Sequence, residues 1–66
     1  MPSERETDLV RLLARGLTNA EIATELSISV GTVKTRLGDV QNKRSARNRV
    51  EIAAWAWESG LVDGRQ

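Results

Sequence analysis

Apolar residues recur at intervals of three and four positions in four separate stretches of the chain, the spacing that gives a helix one buried side. The helices that this pattern predicts span about residues 4–15, 19–26, 30–43 and 49–59. No strand pattern, repeat or low-complexity segment accompanies them. The sequence therefore predicts an all-α fold, a compact four-helix domain over residues 1–66 with residues 1–2 and 63–66 frayed.

Capping residues indicate where the predicted helices begin and end. The pairs with capping-box spacing are Ser3 with Glu6, Thr18 with Glu21, and Asn48 with Glu51, and Ser29 can cap the third helix. Gly16 and Gly60 lie where a left-handed residue would end a helix, and Leu61 and Val62 can then fold back onto the core.

The second and third helices are separated by only three residues, so their axes must cross steeply, as in a helix-turn-helix. Ile28 is the expected apolar plug of this turn. The buried stripe predicted for the third helix consists of Val30, Val33, Leu37 and Val40. Its opposite side carries Lys34, Thr35, Gly38, Gln41 and Asn42. These groups can donate and accept hydrogen bonds as a helix in a DNA groove requires.

The fourth helix has two apolar rows, one more than a small single domain needs. The residues expected to cover the core are Ile52, Ala53, Trp55 and Ala56. Val50, Ala54 and Trp57, at positions i, i+4 and i+7, form a second row left facing water. The alanine permits close approach of a partner helix, and the tryptophan supplies an aromatic anchor. The row predicts self-association; a more deeply buried helix or a lone exposed tryptophan is the alternative.

The composition removes most catalytic and metal-binding functions. The chain has no cysteine and no histidine, which excludes the usual zinc sites and histidine-based acid–base chemistry. The carboxylates are scattered along the helices, and no Gly-rich phosphate loop is present. We therefore predict no enzyme activity and no cofactor. Neither a membrane span of roughly 20 apolar residues nor a signal peptide is present, so we expect a soluble, cytoplasmic protein.

Charge is distributed unevenly along the chain. The net charge is +1, yet residues 32–49 carry six bases and one acid, a local balance of +5 that leaves −4 for the rest. Such a positive end is typical of a nucleic-acid contact face, with a solvated charged surface as the alternative. Exposed Glu4, Glu6 and Asp8 would repel phosphate, so the start of the first helix is expected to point away from DNA.

Two segments carry a family resemblance. The run GLTNAEIA at Gly16 to Ala23 and the run SVGTVK at Ser29 to Lys34, at this spacing, resemble the LuxR-type helix-turn-helix domain. That domain is the DNA-binding output module of NarL/FixJ-like response regulators and quorum-sensing activators, and the similarity extends from Ser3 to Val62. The resemblance implies that the third helix enters the major groove and that the fourth helix pairs two copies on inverted or direct half-sites.

The residues expected to contact DNA and the partner copy follow from the resemblance and the charge pattern together. Those expected to contact bases are Lys34, Thr35, Gly38 and Gln41. Those expected to contact phosphates are Asn19, Thr32, Arg36, Lys43, Arg47 and Arg49. Those expected at the dimer interface are Val50, Ala54 and Trp57. Lys34 is the candidate for a guanine contact, while Thr35 and Gln41 could contact adenine or thymine edges.

The sequence departs from the family pattern at two places. Gly38 replaces a polar or basic groove contact, so either the backbone comes close to a base edge or thymine methyl there, or the position contributes nothing. Arg44 and Ser45 replace the usual leucine and glycine that end the third helix. Loss of the leucine removes a core contact, and the end of this helix is therefore expected to fray.

The partners implied by this interpretation are double-stranded DNA, a second copy of the chain and, as a further candidate, RNA polymerase; no membrane partner is expected. A promoter-reading domain like that of a sigma factor is the nearest alternative, although it gives no reason for the second row on the fourth helix. A protein-interaction module, with an incidental basic face, is the alternative from another class.

Overall fold

A computed structural model describes residues 4–62, which form four α-helices joined by short turns. The helices are α1 (Glu4–Ala14), α2 (Asn19–Leu26), α3 (Val30–Arg44) and α4 (Arg49–Glu58). The predicted all-α fold is confirmed, and every helix bound agrees with its prediction to within one residue. The predicted Ser3 cap and the predicted frayed ends at 1–2 and 63–66 lie outside the described residues.

The core forms where α1 packs against each of the other three helices. Its fully buried side chains include Leu9 and Val10 of α1, Ile22 of α2, Val33 of α3 and Ile52 of α4. Val62 folds back beneath α4 and is 4% exposed, as predicted from the glycine that precedes this segment. The described part of the chain contains no helix that is long and apolar enough to cross a membrane.

Side-chain caps begin α2, α3 and α4 as predicted. Thr18 and Glu21 form a reciprocal capping box, with the Thr18 amide donating to Glu21 Oε1 at 2.8 Å. Asn48 accepts from the amide of Glu51, but the Glu51 carboxylate accepts from the amide of Arg47 at 2.7 Å, one residue before the cap. The third predicted box is therefore offset by one residue on its return side.

All four helices end in the same way, through a residue with a left-handed backbone. These residues are Gly16 (φ 92°), Ser27 (φ 56°), Ser45 (φ 53°) and Gly60 (φ 81°). In each case the amide of the next residue donates back to the carbonyl five positions earlier, as in Ala46 N–H to Gln41 O at 2.9 Å. The residues after the left-handed positions, Leu17, Ile28, Ala46 and Leu61, pack against the core. The predicted plug role of Ile28 is thus confirmed.

Two expectations for α3 were wrong. The helix does not fray at its end; it continues to Arg44, whose guanidinium carbon lies 4.1 Å from the centre of the Trp55 ring on α4. A cation–π contact thus links the two helices at the position where the resemblance implies a leucine. Val30 was predicted to be buried, but it is 39% exposed as the first residue of α3, whereas Val33 of the same stripe is fully buried.

Candidate nucleic-acid interface

The outward face of α3 carries polar side chains that the rest of the domain leaves unengaged. Lys34, Thr35 and Asn42 are exposed, and Gln41 is half-buried. Within residues 4–62, none of these four side chains has a hydrogen-bond partner or an ion-pair partner. Gly38 lies among them, three or four positions from each. Three predicted base-contacting side chains and Gly38 therefore share one surface, with their hydrogen-bonding groups available to a ligand.

The first turn of α3 is fixed by its own cap. Ser29 Oγ accepts from the amide of Thr32 at 3.0 Å and lies 2.8 Å from Thr32 Oγ1. The cap satisfies one of the amides that a helix N-terminus leaves without an intrahelical partner. Thr32, predicted to contact phosphate, is half-buried and already engaged with Ser29. Its position at the N-terminal end of α3 remains one where an anion is favoured electrostatically.

Arg49 and Asn19 are brought together although 30 residues separate them in the chain. Arg49 Nη1 donates to Asn19 Oδ1 at 3.0 Å, and Arg49 Nη2 donates to the carbonyl of Leu17 at 3.3 Å. The Arg49 side chain therefore bridges the first residue of α4 to the first residue of α2. Because a guanidinium has five N–H groups and the Asn19 amide nitrogen is not engaged in this contact, both residues keep donors for a phosphate.

Arg47 occupies the turn before α4 and extends into solvent. Its side chain is 88% exposed, and its Nε lies 4.0 Å from Glu51 Oε2. An exposed pair at this distance holds a charge only weakly. Arg47 is therefore available for the phosphate contact that the sequence predicts.

Arg36 and Lys43 lie on the side of α3 that faces the start of α1, where acids oppose them. Lys43 Nζ contacts Glu6 Oε1 at 2.6 Å, and the Glu6 side chain is only 18% exposed. The prediction of an exposed Glu6 was therefore wrong, because α1 packs its first turn beside the C-terminal half of α3. Arg36 is half-buried in an open hollow that Arg5 and Asp8 also line. Lys43 is thus paired with an acid, whereas Arg36 shares its hollow with one base and one acid.

The predicted second row of α4 is exposed to solvent. Val50 is 70% exposed, Trp57 is 46% exposed, and Ala54 is exposed between them. Trp57 Nε1 donates to the carbonyl of Ala14 at 3.3 Å, which fixes the indole at the end of α1. The row therefore presents apolar surface in a defined orientation. The alternative of a more deeply buried fourth helix, with this row in the core, is wrong.

Sequence reasoning missed the contacts between side chains that are distant in the chain. The pairs are Lys43 with Glu6, Arg49 with Asn19, and Arg44 with Trp55. No short-range signal marks them, since each depends on how the helices pack. Among residues 4–62, no group of three or more acidic, cysteine or histidine side chains is placed to hold a metal ion.

Two contacting helices, α2 and α3, joined by a tight turn, with exposed polar side chains on the second helix, are the arrangement of the helix-turn-helix class of DNA-binding domains. Residues 3–56 match the model of the luxR family of bacterial regulatory proteins. The chain belongs to that family, and it is a DNA-binding domain of the kind that regulates transcription.

Several regulators are similar to this chain. Regulatory protein SdiA of Escherichia coli K12 is 42% identical over 60 residues, which cover 91% of this chain and 25% of SdiA. The transcriptional regulatory protein YvfU of Bacillus subtilis 168 is 40% identical over 58 residues, covering 88% of this chain and 29% of YvfU. The response regulator VraR of Staphylococcus aureus is 32% identical over 62 residues, covering 94% of this chain and 30% of VraR. The chain thus spans between a quarter and a third of the length of these relatives.

Proposed function

We propose that the domain binds specific sequences of double-stranded DNA by placing α3 in the major groove. The observation that carries this proposal is the unengaged outward face of α3, because buried or paired polar groups could not exchange their partners for base edges without loss. Lys34 is suited to guanine O6 and N7, and Thr35 and Gln41 to adenine or thymine edges. A helix with side chains is about 10–12 Å across and fits the major groove, which is about 12 Å wide.

Phosphate contacts would position this helix on the duplex. The residues proposed for them are Asn19, Thr32, Arg36, Lys43, Arg47 and Arg49. Asn19 and Arg49 form the strongest pair, since their contact holds two hydrogen-bond donors together at the first residues of α2 and α4, where an anion is favoured. Lys43 would contribute less than its charge suggests, because Glu6 contacts it at 2.6 Å.

A second copy is proposed to pair through Val50, Ala54 and Trp57. This row leaves a valine and a tryptophan exposed on one helix, and a small residue between them lets a partner helix approach. A single copy has few base-reading side chains, so pairing on two half-sites would supply affinity and specificity.

The test of DNA recognition uses duplexes that the 66-residue chain selects from a random pool. Lys34→Ala should weaken binding to a selected duplex by about 1–3 kcal/mol and relax preference at one base pair. Lys43→Ala is the matched control: it removes a lysine from the same helix but should weaken all duplexes alike and reduce the salt slope by at most about 0.9. Equal affinity for selected and random duplexes would refute sequence-specific binding.

The test of pairing uses sedimentation equilibrium without DNA. Val50→Glu should shift the protein toward monomer while the helical circular dichroism is unchanged, since the Val50 side chain is mostly exposed. Val30→Glu is the matched control, because it places the same charge at another exposed valine outside α4. Equal effects of the two variants, or none from Val50→Glu, would reject pairing through α4.

We also propose the wider role that the relatives suggest. VraR is called a response regulator. From this likeness we propose that a two-component signal can control DNA binding by the present domain. We propose the cytoplasm as its location and RNA polymerase as its partner at the promoter.

The second candidate function is a protein-interaction module, which the exposed row of α4 favours. A gel shift with random-sequence competitor distinguishes the two functions, because only a sequence-specific DNA-binding domain stays bound to its selected duplex when competitor is added.

A further inference from the structure

Gly38 has no evident structural role inside the domain. It lies in the middle of α3, where glycine is less favourable than alanine because it loses more backbone freedom on folding. Its backbone is not left-handed, since the positive φ values among the described glycines belong to Gly16 and Gly60. A Cβ placed on Gly38 would meet no atom within 4 Å apart from the helix's own backbone. Neither the conformation of α3 nor its packing within residues 4–62 therefore requires glycine at this position.

The surroundings of Gly38 point toward a ligand. Lys34, Thr35, Gln41 and Asn42 surround it at positions i−4, i−3, i+3 and i+4, and their side chains have no partner within residues 4–62. The helix surface at a glycine lies near the Cα cylinder, about 2.3 Å from the axis, whereas side chains extend it to about 5–6 Å. Gly38 is thus a depression at the centre of the face on which the groove-reading side chains stand.

We propose that Gly38 is a specificity-determining position at which the backbone of α3 lies directly against a base-pair edge in the major groove. This inference rests on the proposed function, because it requires α3 to enter the groove. The absent side chain lets the helix sit deeper than a residue with a Cβ would allow, so that Lys34 and Gln41 on either side can reach their base edges. Any larger residue at position 38 would keep the helix away from one base pair.

The experiment is Gly38→Ala in the 66-residue chain, measured for both stability and DNA binding. The thermal midpoint should rise by about 2–8 °C, because alanine is the better helix former and nothing in the domain obstructs its methyl group. Affinity for the selected duplex should fall about tenfold or more, as for a mismatched base pair, while affinity for random duplexes stays within about twofold. Gly38→Ser should weaken selected binding at least as much.

Every other outcome contradicts the inference. A rise in stability with unchanged or tighter binding means that the groove has room above Gly38. A fall in stability means that the domain itself needs glycine there. An equal loss on all duplexes means that the close contact is to phosphate and not to a base edge.

The Lys34→Ala variant distinguishes this inference from the proposed function. If Lys34→Ala weakens selected binding but Gly38→Ala does not, only the close approach at Gly38 fails. If neither substitution affects binding to the selected duplex, α3 is not the reading helix and the proposed function fails as well.

Discussion

Ser27→Gly and Ser45→Gly should each stabilise the domain. Both serines end a helix with a left-handed backbone, at φ values of 56° and 53°, the role that Gly16 and Gly60 have at the other two helix ends. This conformation costs an L-residue about 1–2 kcal/mol, whereas glycine adopts it without steric cost. Neither serine hydroxyl has a hydrogen-bond partner within residues 4–62, so its removal leaves no group unpaired there.

The expected gain is the strain removed less the entropy that glycine adds to the unfolded chain. Glycine loses more backbone freedom on folding, by about 0.5–1 kcal/mol, so the net gain should be about 0–1.5 kcal/mol for each substitution, with a central value of about 0.75 kcal/mol. For a domain of this size the central value corresponds to a rise in thermal midpoint of about 3–6 °C. Urea unfolding should show a higher midpoint at an unchanged slope, because the surface exposed on unfolding stays the same.

Ser59→Gly is the matched control for these two substitutions. Ser59 also ends a helix, but its φ of −84° is right-handed and its hydroxyl donates to the Ala56 carbonyl at 3.3 Å. Glycine at this position adds entropy to the unfolded chain without relieving strain, so stability should fall by about 0.5–1 kcal/mol. If all three serine-to-glycine changes shift stability in the same direction, the backbone conformation does not decide the effect and the reasoning is refuted.

Two further predictions concern contacts that link α3 to its neighbours. Glu6→Gln removes the acid beside Lys43, so the unfolding free energy should fall by less than about 1 kcal/mol. DNA affinity should rise, and the slope of log affinity against log salt should steepen by up to about 0.9, because Lys43 is freed for phosphate. An unchanged slope would mean that Lys43 does not contact phosphate. Arg44→Ala removes the cation from the Trp55 ring and should lower the unfolding free energy by about 0.5–1 kcal/mol. Arg44→Lys, which keeps a cation, should lower the unfolding free energy measured by urea titration less than Arg44→Ala does. An equal loss in the two variants would indicate that the Arg44 side chain acts by packing alone.

The helix bounds could be predicted from the sequence because they depend on local hydrogen bonds. The Thr18 cap acts over three residues, and the return bond that ends each helix acts over five. The left-handed glycines at 16 and 60 were foreseen for the same reason, since glycine marks such positions in a sequence. The left-handed serines at 27 and 45 were not, because serine is common in turns of every conformation.

The charge pattern of the site could be predicted only in part. The unengaged face of α3 follows from the helical period, which separates Lys34 and Thr35 from the valine stripe. The engagement of Lys43 does not, because Glu6 lies 37 residues away and reaches it only when α1 packs beside α3. A count of charges along the chain therefore overstates the positive potential of this end of the molecule.

The contacts at the two ends of α3 have a consequence for how tightly one copy can bind. Ser29 caps its first turn, and the Arg44 contact with Trp55 links its last turn to α4, so its two ends are held within the domain while its outward side chains are not. The side chains proposed to read bases have no partner within residues 4–62, and ordering each of them on a duplex costs about 0.5–1.5 kcal/mol. Because that cost falls on the few groups proposed to read bases, one copy should bind a single half-site weakly. Val50→Ala, which adds no charge beside Arg49, should consequently reduce affinity for a paired site while leaving affinity for an isolated half-site unchanged.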